Sequence, residues 1–178
     1  MHRLFFTLIL LTFFTTTFGQ SLMVVGQKHT IFVDLPKNWL QAQNDQLPFF
    51  IKPNKNRVSD ETYMYVYGID YNSKPDLSAW VKGNNDYISE TFKDVKIDTL
   101  KQQFENIKSN DCLTGNYLTI TYDYPNGRKE VMLIIECKST IVTAVLSTKD
   151  KAELKELLPS FIELSQTLKI IGTTLTEE

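Results

Sequence analysis

Histidine and cysteine are scarce in this chain of 178 residues, with two of each, and the scarcity removes whole classes of chemistry. His2 lies in an N-terminal leader, so His29 stands alone at the entrance of a strand pattern, where it reads as a surface residue. A Ser–His or Cys–His nucleophile site needs a base held against the nucleophile, and nothing in the sequence ties a serine or cysteine to His29. Zinc needs three or four ligands at compact spacing. With neither Cys-x-x-Cys nor His-x-x-x-His present, no metal and no cofactor is expected. No Asp-x-Asp-x-Asp-Gly loop offers calcium a site, so Asp60, Glu61 and Asp70 read as solvated loop carboxylates. Glycine and proline are also few, at seven and six, and no repeat, low-complexity tract or linker divides the chain.

A long apolar run is missing beyond the first residues. His2 and Arg3, followed by the apolar stretch Leu4 to Phe14, read as a secretory signal, since spanning a bilayer takes about 20 such residues. Cleavage is expected near Gly19-Gln20, removing residues 1–20, with an uncleaved anchor as the alternative. No cysteine near the end of this segment could carry a lipid. The expected location is secreted or periplasmic, with no membrane span left in the mature chain. Residues 21–178 have the length of one domain and carry 18 basic against 21 acidic side chains, a net charge of −3. That balance argues against nucleic acid as a partner, because phosphate binding needs a concentrated positive face. At 42% hydrophobic residues the chain can bury a core without staples.

What the sequence does contain is centred on Leu113 to Thr148, where three apolar strand patterns follow one another with only tight turns between. Asn126-Gly127 between alternating apolar runs is a strong hairpin signal, because both residues tolerate the positive φ of a type I′ turn. As a two-residue loop it would set Tyr122, Ile120 and Leu118 opposite Val131, Leu133 and Ile135 on one buried face, leaving a mostly polar second face. A second reversal at Lys138-Ser139 would bring Val142, Ala144 and Leu146 onto the same face as Ile135, Leu133 and Val131.

Elsewhere Thr30 to Leu35 alternates and reads as a strand stopped by Pro36, after which Trp39 turns back onto the core. Leu47 to Ile51 reads as a short strand closed by Pro53-Asn54, and Thr62 to Tyr71 as a strand with Tyr63, Tyr65, Tyr67 and Tyr71 on one side and Met64, Val66 and Gly68 on the other. Asp76 is the expected N-cap of a helix with Leu77, Trp80, Val81, Ile88 and Phe92 on its apolar face, interrupted by Gly83-Asn84-Asn85. Val95 to Phe104 reads as an uneven strand. A last helix spans about 150 to 169, with Leu154, Leu157, Leu158, Phe161, Ile162, Ser165 and Leu168 in one stripe. Pro159 is expected to bend or restart it.

In this order the chain resembles the PsbP-like and Mog-type fold superfamily over about residues 30–170. The likeness rests on Phe32-Val33-Asp34-Leu35-Pro36-Lys37-Asn38-Trp39, on the Asn126-Gly127 hairpin and on Leu158-Pro159-Ser160-Phe161-Ile162-Glu163. Members include a photosystem II extrinsic subunit, a Ran-binding import factor and small exported bacterial proteins, so the resemblance implies binding or assembly and brings no catalytic motif. The fold it implies is α+β, an antiparallel sheet of about six strands flanked by helices on both faces. It forms a single domain over 21–178 with a short polar tail from Gly172.

Two groups of residues could carry chemistry. Tyr63, Tyr65, Tyr67 and Tyr71 combine large apolar bodies with polar tips and could stack sugars, aromatic ligands or a partner protein; the alternative is that they pack beneath a helix. Cys112 and Cys137 sit in an oxidising setting if the chain is exported. The expected register makes Cys137 face Asn116, four positions from Cys112. Four residues span about 13 Å along a strand, beyond the ~7 Å limit on Cα separation for a disulfide, so a bridge requires a bulge or bend near Asn110 to Leu113. The function expected on this reading is an exported, non-catalytic binding or assembly protein, acting on another exported protein or a small ligand. The alternatives are an exported hydrolase using surface carboxylates such as Asp70 and Asp123, and a small inhibitor or immunity protein.

Overall fold

The computed structural model describes residues 21–173; the expected signal segment, 1–20, and residues 174–178 lie outside those described. Ten strands and two helices follow in the order β1 (Ser21–Val25), β2 (His29–Asp34), β3 (Trp39–Gln41), β4 (Phe49–Pro53), β5 (Tyr63–Asp70), α1 (Leu77–Thr91), β6 (Lys96–Thr99), β7 (Leu113–Asp123), β8 (Lys129–Cys137), β9 (Thr140–Thr148), α2 (Lys151–Thr167) and β10 (Lys169–Gly172). Seven strands form one antiparallel sheet in the order β3-β4-β5-β9-β8-β7-β6, and β1-β2-β10 form a second. The class is α+β as expected, but the main sheet has seven strands rather than about six, and a second sheet accompanies it.

The central hairpin closes through a loop one residue longer than the expected two-residue loop. The Gly127 amide donates to the Tyr124 carbonyl at 3.0 Å and the Tyr124 amide to the Arg128 carbonyl at 2.9 Å, so Pro125, Asn126 and Gly127 form a three-residue loop with Gly127 at φ +96°. This is a type I turn followed by a left-handed residue. Pro125 is the reason: a two-residue loop would ask it to donate an N–H it lacks, whereas Tyr124 can. Tyr122 therefore pairs with Glu130 and Ile120 with Met132, and the slip moves every side chain of β8 to the other face relative to β7. Leu118, Ile120 and Tyr122 join Met132 and Ile134 under α1, while Val131, Leu133 and Ile135 lie under α2. The expected polar face does not exist; both faces are buried, and β8 and β9 accordingly read as near-continuous apolar runs.

The reversal at Lys138-Ser139 falls where expected, with Val131 opposite Leu146, Leu133 opposite Ala144 and Ile135 opposite Val142. On β7 a bulge between Leu113 and Tyr117, with Gly115 at φ +85°, sets Leu113 rather than Asn116 opposite Cys137.

α2 and the small sheet cover one face. Leu157, Phe161 and Leu164 pack with Ile31, Val33, Ile170 and Trp39 against Met64, Val66 and Leu146. Each such side chain contributes roughly 1.5–3 kcal/mol on burial. Asp150 caps α2 by accepting from the Glu153 amide at 2.8 Å, and the helix runs through Pro159 without a break. Pro159 lies on the exposed side, where water can take the Lys155 carbonyl that loses its donor. The helix ends at Thr167, and residues 169–172, expected as helix end and tail, instead pair with β2. β6 is limited to Lys96–Thr99, with Phe104 buried from a loop.

α1 covers part of the opposite face. Asp76 caps it as expected, accepting from the Ala79 amide at 3.0 Å. The buried Glu136 carboxylate accepts from the Leu77 amide at 3.1 Å, where the positive end of the helix favours it. Burial would raise Glu136, but this amide bond, with Thr114, Asn116 and Lys74, holds its carboxyl below the usual range. The polar patch in mid-helix has a purpose: Asn84 donates to the Tyr122 hydroxyl at 2.9 Å, and that hydroxyl donates to Asn85 at 2.8 Å, tying the helix to the sheet.

Candidate functional site

Alternation along β5 sends Met64 and Val66 into the core beneath α2 and sends Tyr63, Tyr65 and Tyr67 to the face that α1 only partly covers. α1 packs over β7, β8 and β9, leaving the β4–β5 side beside it open. There Phe50, Tyr63, Tyr65 and Tyr67 form a ladder with successive ring centroids 5.1, 6.0 and 5.9 Å apart. The ladder floors a trough of about 550 Å³ whose other wall is Asn44, Gln46 and Leu47, with Asp60 at one end. Beyond Tyr67 the trough continues into a second hollow of about 420 Å³ against α1, lined by Ile69, Trp80, Asn84 and Tyr87. Gly83 has nothing within 4 Å of where a Cβ would sit, so the helix keeps the hollow clear. Burial, followed by the Glu130 charge, raises the Tyr65 hydroxyl, and burial raises that of Tyr67; both stay neutral donors near pH 7. Among the described residues of this lining Asp60 is the one carboxylate and none is a cation; Asp60 pairs with Lys52 at 3.3 Å.

Of the four expected tyrosines the structure brings together Tyr63, Tyr65 and Tyr67. Tyr71 lies past the end of β5, its amide bonded to the Ser139 carbonyl at 2.8 Å and its ring packed with the α1-side core, outside the trough. Sequence reasoning missed the part played by Phe50, which β4 sets opposite Tyr65, and the 44–47 wall, which belongs to a loop with no periodicity. Trp80 and Tyr87 were within reach: with Gly83-Asn84 between them they form a stripe at helical spacing on the outward side of α1.

The carboxylates fall elsewhere. Asp70 and His29 were expected at the surface, yet His29 is 2% exposed and its Nδ1 lies 2.7 Å from Asp70 Oδ1. The imidazole fits a slot between two glycines: a Cβ on Gly26 would fall 2.1 Å from its Cε1, and one on Gly68 2.4 Å from its Nε2. Asp70 also accepts from the Thr140 hydroxyl at 2.6 Å and the Lys28 amide at 3.0 Å. Burial pushes the Asp70 carboxyl up, but the bonds from Thr140, His29 and Lys28 prevail and hold it below the usual carboxylate range. This cluster joins the small sheet to the large one. Asp123 pairs with Lys129, which lies opposite Thr148, whereas Asp70 lies opposite Thr140. The two ends of β9 are eight residues apart, about 26 Å, so the expected carboxylate pair of a hydrolase does not converge. Asp60 and Glu61 are exposed, as read from the sequence.

Cys112 and Cys137 are free thiols, one partly exposed and one buried. Among the described residues no group of three or more His, Cys, Asp or Glu is placed to hold a metal ion, and no helix is long and apolar enough to cross a membrane.

A seven-stranded antiparallel sheet with a helix on each face and a small second sheet is the PsbP-like fold. The chain is similar to cyanobacterial PsbP (CyanoP) from Synechocystis, whose solution structure superposes with a TM-score of 0.55 at 11% sequence identity, covering 85% of this chain and 92% of that one. At that identity the likeness carries the fold and no site residue. No protein-family model and no curated protein matches the chain.

Proposed function

We propose that this is an exported, non-catalytic binding protein that takes an uncharged saccharide chain along the tyrosine trough. The observation that carries the reading is the ladder of Phe50, Tyr63, Tyr65 and Tyr67, left half-exposed on a sheet whose central strands β8 and β9 are buried on both sides. Flat aromatic faces suit the apolar faces of sugar rings, and tyrosine hydroxyls with the amides of Asn44, Gln46 and Asn84 supply both donors and acceptors for ligand hydroxyls. Among the described residues the lining of the trough offers no free cation, which disfavours acidic ligands. Separation of Asp70 from Asp123, and engagement of His29 in a buried pair, support binding without chemistry. Export rests on the basic and apolar leader of residues 1–20, and fractionation of cells expressing the full chain, with the N-terminus of the mature protein determined, tests it.

The binding reading is tested by titrating the protein with neutral oligosaccharides of increasing length while following tyrosine ring signals by NMR. Affinity is expected to rise with chain length, and Tyr63→Ala to weaken binding about 10- to 100-fold, the value of one stacking ring. Unmoved Tyr63, Tyr65 and Tyr67 signals across the panel would sink the saccharide reading. Movement with a proline-rich peptide instead, which also docks aromatic grooves, would reassign the trough to a protein partner.

A further inference from the structure

The β7 bulge has an effect unconnected with the trough. It sets Leu113 opposite Cys137, and the Lys138 amide donates to the Cys112 carbonyl at 2.8 Å, so the strand offset that separated the cysteines on the sequence reading is gone. Cys112 is the immediate neighbour of the residue paired with Cys137, and both side chains meet in the same core layer. We propose that Cys112 and Cys137 are a redox pair that closes to an intramolecular disulfide by exchange with a disulfide donor, with Cys112 as the attacking thiol.

The two sulfurs differ as such a pair requires. Cys137 is 0% exposed, while Cys112 borders a shallow groove with Asn110, Asp111, Ile170, Ile171 and Gly172. The hydrogen bond between the thiols and the Lys138 charge bring Cys112 down to about 7 against the pull of burial. The same bond, burial and the charges of Asp70 and Glu136 push Cys137 up. A thiol ionised near neutral pH and reachable from solvent is the nucleophile; a buried protonated one waits. The Cys112 thiolate attacks one sulfur of the donor R–S–S–R, forming a mixed disulfide and releasing one thiolate, which is protonated. The Cys137 sulfur then attacks Cys112 Sγ, the second R–S⁻ departs, and it takes up the proton lost by Cys137. Two thiols are oxidised and one donor disulfide is reduced to two thiols. The new bond clips the bulge segment to the end of β8, beside the β8–β9 turn.

The test uses the reduced mature chain and an aromatic disulfide whose released thiol is coloured. The wild type is expected to release two coloured thiols per protein, to lose about 2 Da, and to resist alkylation afterwards. Its melting temperature should rise by about 5–12 °C. Cys137→Ser should stop at a stable mixed disulfide on Cys112, and Cys112→Ser should react at least 100-fold more slowly while folded. A wild-type protein that retains two donor groups or two alkylatable thiols overturns the proposal, as does equal reactivity of the two variants. The wild-type mass and stoichiometry decide the matter even if a variant does not fold.

Discussion

On β5, Met64, Val66 and Gly68 face α2 and the small sheet, whereas Tyr63, Tyr65 and Tyr67 face the partly open side, and the two sides of this one strand constrain their residues differently. On the closed side every atom has a neighbour: Val66 lies opposite both Phe49 and Ala144, and Gly68 exists as glycine because the His29 ring occupies the space of its side chain. On the open side large rings stand in a row with solvent above them. Packing governs the first, and recognition is free to govern the second.

Five substitutions would break or sharpen that contrast. Leu133→Ala, at the centre of the closed side, is expected to cost about 3–4 kcal/mol from lost burial and the cavity left behind, read from urea unfolding; a loss under about 1 kcal/mol would mean that the layer relaxes freely. Gly68→Ala drives a methyl into the imidazole and should cost about 2–3 kcal/mol, with Gly26→Ala behaving alike, because neither the ring nor its bond to Asp70 has room to move. Asp70→Asn tests the same cluster through pH. A carboxyl held below its unfolded value near 4 contributes stability that is present above that value and is lost as pH falls through the folded one. The wild type should therefore weaken in acid more steeply than the variant, and parallel acid limbs in thermal melts would contradict the placement of Asp70. Tyr63→Ala, on the open side, should change stability least, by about 1 kcal/mol or less, while removing most of the saccharide affinity. A large loss of stability there would mark the ladder as core.

Much of this contrast was legible in the order of residues. The alternation of Tyr63 to Gly68 assigned the two sides of β5 correctly, Asp76 announced its helix, and Lys138-Ser139 fixed the β8–β9 register. What escaped has physical causes. Asn126-Gly127 drew attention from Pro125, whose missing N–H decides the hairpin; one residue of slip then exchanged the faces of β8. His29 looked superficial because its slot depends on the absence of two side chains, at Gly26 and Gly68, that are distant in the chain. β1 and β10 are short strands whose residues carry little periodicity and gain order from β2 between them. The 44–47 wall of the trough follows from tertiary placement alone.

The position of β2 has a bearing on how the molecule is born. Its neighbours are the first and last strands described, so the small sheet, and with it the layer against α2, completes only after residue 172 has been synthesised. Such long-range closure is slow, and a polypeptide that postpones its final collapse leaves its apolar strands uncovered for longer.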